Sequence, residues 1–207
     1  MTGSGELHWE GVHESKDPDQ ASWWQSEPTR SLRLIEASGV SHGDPIIDVG
    51  AGASTLVDHM SAAGYSDITV LDLSGSALER VRQRLGDRAR HIQFIQADVT
   101  TWSAQEDYAL WHDRAVFHFL TDPTSREAYR ATLAAALRPG GQAIIATFGP
   151  DGPERCSGLD VERYSADSLS AEMGDMFELL ESVNDTHRTP WGAEQAFVYC
   201  RFRRTNL

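Results

Sequence analysis

Residues 46–54 read IIDVGAGAS, which puts a carboxylate, Asp48, just ahead of two closely spaced glycines, Gly50 and Gly52. Without a Cβ, such glycines let a chain bend tightly and let a ligand come close to its backbone. A second carboxylate, Asp72, follows about twenty residues past the glycine turn, a distance at which it can accept hydrogen bonds from both hydroxyls of a ribose. A third, Asp98, ends the apolar run HIQFIQAD. There it can meet an adenine amino group. A carboxylate beside the glycines would repel a pyrophosphate and suits a ligand that carries positive charge. The spacing therefore favours an adenosyl cation over a dinucleotide. A second polar group lies in LWHDRAVFHFL, where His112, Asp113, Arg114 and His118 interrupt an apolar stretch. These residues lack the i, i+4 spacing and the cysteine pattern of a metal site, so no metal is expected.

The elements that must carry these residues alternate. Apolar runs over DPIIDVG, DITVLDLS, HIQFIQADV, YALWH and QAIIATF read as buried strands. Between them, GSALERVRQRLG places Ala77, Leu78, Val81 and Leu85 on one helical face. Another helix starts at Asp122 and Pro123 and stops at a Pro-Gly-Gly break. Strand–helix alternation predicts βαβ units and a mostly parallel sheet covered on both faces. After Phe148 comes a long Gly/Pro loop, a candidate lid, then a helix near 165–173 and two last strands. Residues 1–20 are expected to form a flexible arm, and 21–207 a single domain.

With these motifs in order, the chain resembles the class I S-adenosylmethionine-dependent methyltransferases over roughly residues 45–148. DVGAGAS is similar to their first motif, VLDLS to their ribose motif, QADV to their adenine motif and LRPGGQAIIATF to the motif of their fifth strand. The resemblance implies a Rossmann-like, doubly wound α/β sheet of seven strands in the order 3-2-1-4-5-7-6, with strand 7 antiparallel. It implies S-adenosyl-L-methionine as cofactor. Asp48, Gly50, Ala51, Gly52, Asp72, Leu73, Asp98 and Val99 would contact it, with Asp113 and Arg114 from the fourth strand and Trp24 from an aromatic cover.

In open α/β sheets, ligands bind beyond the carboxyl ends of the strands. That rule selects the substrate side. His112, Asp113 and His187 are the candidate bases, each with a second reading. His112 equally fits a strand-end histidine bonded to backbone, Asp113 a turn cap, and His187 an exposed loop residue. Trp23, Phe148, Arg155, Cys156 and Trp191 are candidate substrate contacts. Cys156 also fits an ordinary surface thiol, and the Trp23–Trp24 pair a helix anchor. His118 and Cys200 read as structural.

The 207 residues carry 31 acidic and 18 basic side chains, a formal charge of −13. Such a surface repels nucleic acids and anionic lipid. The fourth-strand exit, HDRAVF, also lacks the Pro-Pro-aromatic signature with which similar enzymes methylate planar amino nitrogens. Nucleic-acid and membrane partners are therefore not expected. Two cysteines and no apolar leader suggest a cytoplasmic protein, monomeric or weakly dimeric. A small-molecule nucleophile is favoured, with a thiol or sulfide first. The alternatives are a protein lysine N-methyltransferase and a non-catalytic adenosine-binding regulator.

Overall fold

The computed structural model describes residues 3–15, 17–105 and 107–205. Strands β1 (Ile46–Val49), β2 (Ile68–Asp72), β3 (Ile92–Gln96), β4 (Tyr108–Arg114) and β5 (Leu137–Phe148) are the parallel part of the sheet. β1, β2 and the first six residues of β4 are wholly buried. That is why their sequences run apolar without alternation. Two short strands, β6 (Arg155–Cys156) and β7 (Leu159–Asp160), pair as a separate hairpin. The last two, β8 (Phe177–Arg188) and β9 (Glu194–Arg204), complete a seven-stranded sheet of order β3-β2-β1-β4-β5-β9-β8. β9 runs antiparallel to both neighbours. Leaving the hairpin aside, this is the expected order and the expected antiparallel strand.

Helices α2 (Thr29–Ser38), α3 (Leu56–Ala62) and α4 (Gly75–Leu85) cover one face of the sheet. Ile46, Ile68, Val70, Leu110 and Ile144 point at them and pack with Leu34, Ile35, Met60, Leu78 and Val81. The opposite face, with Ile47, Val49, Leu71, Trp111 and Ile145, packs on α5 (Pro123–Ala136) and α6 (Ala166–Met173) through Tyr129, Leu133 and Leu169. Alternate residues of each strand thus serve alternate cores, the period of two that a sheet imposes. The helix starts are chemically marked. The Ser74 hydroxyl accepts from Ala77 N, and the Asp122 carboxylate from Ser125 N.

Three expectations need correcting here. The N-terminal arm is not without structure: helix α1 spans Gly3–Ser15 and packs on α4. Its sequence is polar and only weakly amphipathic, and what holds it are contacts with distant residues that local pattern does not reveal. The Pro-Gly-Gly segment does not separate α5 from its strand; it lies within β5. The loop after Phe148 is tied down by its hairpin and by main-chain bonds from Glu162 N to His118 O and from Tyr164 N to Phe148 O.

Candidate active site

The turn after β1 folds back on β2, where Gly50 N and Ala51 N both donate to Leu71 O. Gly50 has φ +61° and Gly52 φ +52°, the left-handed region that glycine enters freely. At Gly50 space is also excluded, since a Cβ there would stand 1.9 Å from Val116 Cγ2. The Asp72 carboxylate receives Gly52 N at 2.7 Å on one oxygen and Ser74 N at 2.8 Å on the other. Each oxygen keeps a further lone pair for a ligand hydroxyl. Burial pushes the Asp72 carboxyl up to about 6, against the pull of those two backbone donors. From α4, Arg84 donates to the carbonyls of Ala53 and Ser54 and fixes the far side of the turn.

A buried chain of hydrogen bonds crosses the start of this turn. Asp48 Oδ1 lies 2.7 Å from His112 Nδ1, and His112 Nε2 lies 2.8 Å from Ser31 Oγ on α2. All three residues are buried. Asp48 Oδ2, also buried, has no partner among the described residues. Arg114 donates from Nε to Tyr199 Oη and from Nη1 to Trp23 O, and its guanidinium lies 4.7 Å from the centre of the Phe197 ring. Its Nη2 is buried without a partner among the described residues. Buried charged groups are costly unless paired, so an orphaned carboxylate oxygen and an orphaned guanidinium nitrogen call for a ligand. Asp48 and Arg114 line one pocket of about 670 Å³. A zwitterionic α-amino acid would satisfy both.

A second pocket of about 680 Å³ adjoins the first and is lined by Asp72, Leu73, Ala97 and Val99. The two share His13, Trp23, Gly50 and Arg114. Together they offer a carboxylate for a ribose, an apolar slot beyond it, and an amino-acid cradle on the other side. The residues present therefore fit S-adenosylmethionine.

Helix α1 roofs this space. Its Glu10 carboxylate accepts from Ser74 Oγ at 2.6 Å and from Ser76 N at 3.1 Å. The Ser74 bond holds the Glu10 carboxyl below its ordinary value. Trp9 packs edge-on against Trp23 and Phe119, and His13 sits over the glycine turn, 3.2 Å from where a Gly52 Cβ would be. Burial pushes His13 down to about 4, so it is neutral at physiological pH.

Of the other sequence candidates, Ala51, His112 and Trp24 line the first pocket, while Gly52 and Cys156 line the second. Cys156 is buried rather than on the surface, because the hairpin turns it inward. Asp98 stands between two lining residues but uses Oδ1 for Thr100 N and Oγ1. Asp113 does not face the pocket. Its carboxylate accepts from Val116 N, Phe117 N and Tyr129 Oη at 2.9, 3.1 and 2.6 Å. Burial pushes it up to about 6. It is a cap for the turn after β4, as its second reading held. His187 is not a loop residue, since β8 extends through it, and its Nε2 bonds Ser22 O at 2.7 Å. Phe148 is core, stacked edge-on on Phe197. Arg155 projects outward and pairs with Asp160. Trp191, at the β8–β9 turn, is 63% exposed and lines neither pocket. His118 accepts from Phe148 N through Nδ1, the structural role expected of it.

Sequence reasoning missed Trp9, Val12, His13 and Ser31. A signal existed for the first three, whose i, i+3, i+4 spacing puts them on one helical face. Nothing local marks Ser31, whose partner lies 81 residues away.

Among the described residues, no group of three or more His, Cys, Asp or Glu could hold a metal ion. No helix among them is long and apolar enough to cross a membrane. Residues 46–141 match the family model described as a methyltransferase domain. A malonyl-[acyl-carrier protein] O-methyltransferase of Paenibacillus sp. (strain JDR-2) is 27% identical over 131 residues, 61% of this chain and 46% of that protein. Thiocyanate methyltransferase 1 of Brassica oleracea is 27% identical over 129 residues, 61% of this chain and 56% of that one. The chain spans about half the length of the curated relatives it matches. A solved structure from work on the conversion of a disulfide bond into a thioacetal group during echinomycin biosynthesis superposes with a TM-score of 0.76. It is 21% identical, and the match covers 97% of this chain and 93% of that one.

Proposed function

We propose that the chain is a class I S-adenosylmethionine-dependent methyltransferase that transfers the donor's methyl group to a small nucleophile, with a thiol or sulfide as the favoured class. The observation that carries the reading is the pair of orphaned charged atoms, Asp48 Oδ2 and Arg114 Nη2, on one pocket beside the Asp72 carboxylate. Asp48 would take the donor's ammonium, Arg114 its carboxylate and Asp72 its ribose hydroxyls. Bound there, S-adenosylmethionine supplies an electrophilic methyl on a sulfonium.

The rest is alignment and exclusion of water. Trp9, Trp23 and Phe119 wall the second pocket, with Cys156 beside them, so a nucleophile entering there loses most of its water. The polar side chains nearby are poor bases. Asp113 is committed to its cap, His187 to Ser22, and His13 is held neutral with a depressed affinity for protons. A thiol, with a reference pKa of about 8.5, ionises with little help, whereas a lysine at about 10.4 needs a base. That contrast favours sulfur over a protein lysine. One similar protein, thiocyanate methyltransferase 1, is named for a small sulfur-containing substrate.

The test is a panel of thiols, amines and phenols incubated with the protein and S-adenosylmethionine, read by S-adenosylhomocysteine formation. Turnover with small thiols supports the reading. Turnover only with phenols or amines would move the nucleophile class, and turnover only with a protein partner would overturn the small-molecule reading.

A further inference from the structure

The chain Asp48–His112–Ser31 does more than fill a buried corner. We infer that Ser31 is a second binding residue for the donor's α-ammonium group, with its hydroxyl turned into an acceptor by His112. The inference rests on S-adenosylmethionine as the donor.

An ionised Asp48 can only accept, so the His112 nitrogen 2.7 Å away must carry the hydrogen. In the neutral imidazole the other nitrogen, Nε2, then holds a lone pair. Ser31 Oγ, 2.8 Å from it, is left to donate its single proton to that lone pair. Its own two lone pairs remain, and Ser31 lines the same pocket as Asp48. The pocket therefore meets acceptors, Asp48 Oδ2 and Ser31 Oγ, linked through one imidazole. Such a pair fits an ammonium, with three donors to give, and disfavours a carboxylate. Were the chain polarised the other way, Ser31 would present a proton and select an anion.

Two further observations agree. Asp48 Oδ2 is buried and unpartnered among the described residues, so the group that completes the site must be a donor. Ser31 sits in the first turn of α2, where a serine commonly bonds local backbone. Here its hydroxyl reaches across 81 residues to His112 instead. His112 is on this account a positioning residue that fixes Asp48 and orients Ser31.

Calorimetric titration tests this with two ligands, S-adenosylhomocysteine and its deamino analogue, which keeps the carboxylate. Ser31→Ala and the near-isosteric Ser31→Cys, a weak acceptor, are compared with the wild type. Loss of one charge-assisted hydrogen bond predicts about a tenfold weaker affinity of both variants for S-adenosylhomocysteine. Their affinity for the deamino analogue should equal that of the wild type. Unchanged affinity for S-adenosylhomocysteine in the variants, or an equal loss for both ligands, would overturn the role given to Ser31. A wild-type protein that binds neither ligand would overturn the donor reading itself, and this inference with it.

Discussion

Asp113 stands at the end of a central strand beside the donor crevice, where a catalytic carboxylate would be sought, yet its oxygens serve the fold. Replacing it with alanine tests that assignment. The carboxylate accepts three hydrogen bonds, part-buried from Val116 N and buried from Phe117 N and Tyr129 Oη. Alanine strands three donors, and each stranded buried group costs about 1–3 kcal/mol. The wild type also bears the cost of burying the charge, visible in a carboxyl pushed up to about 6, which offsets part of the loss. A net destabilisation of about 3–5 kcal/mol follows, a large share of the stability of an ordinary domain. For a chain of this size that lowers Tm by on the order of 10 °C. Circular dichroism melts measure it, alongside titration with S-adenosylhomocysteine at a temperature where the variant is folded. The expected result is a large fall in Tm with binding retained. An unchanged Tm with abolished turnover would refute the capping role and restore Asp113 as a catalytic group.

Other consequences are separate. Gly50→Ala should prevent a native turn, because its Cβ would collide with Val116 Cγ2 at φ +61°; a large loss of soluble protein or of Tm checks this. Asp72→Ala should abolish the rise in Tm that S-adenosylmethionine gives the wild type by mass action. His118 is buried and pushed down to about 3, so the folded protein binds fewer protons than the unfolded chain between that value and about 6.5. Its contribution is fully present above about 6.5 and is lost as pH falls towards 3. The His118→Phe variant should therefore lose less stability than the wild type between pH 6.5 and 4 in denaturant titrations, and an identical slope would contradict the burial argument. Arg155→Ala and Trp191→Ala, both on the exterior, should leave donor binding within about twofold of wild type, since surface changes away from a site shift energies by only about 0.5 kcal/mol.

The parts of the molecule legible in its sequence are those that local chemistry specifies. The apolar runs of β1, β2 and β4, the glycine turn at Gly50 and the cap at Asp122 each announce themselves within a few residues. Asp48, Asp72 and Arg114 were placed by the ends of those strands. What escaped depends on distant partners. Helix α1 is held by Glu10 on Ser74 and by Trp9 on Phe119, contacts that span more than 60 residues. Phe148 looked like a pocket wall from its place at a strand end, but the pleat turns it into the core against Phe197. His112 reads from sequence as one of three candidate bases or as a histidine bonded to backbone, whereas its partners are the Asp48 and Ser31 side chains, one on each side of its ring.

The central claim is that the two joined pockets hold S-adenosylmethionine through Asp48, Asp72 and Arg114. Isothermal calorimetry with S-adenosylhomocysteine tests it most directly. Saturable binding at one site per chain is expected in the wild type, with a loss of at least about tenfold in Asp48→Asn and in Arg114→Gln, each of which removes one charged partner. Absence of binding in the wild type, or full affinity in both variants, would contradict it.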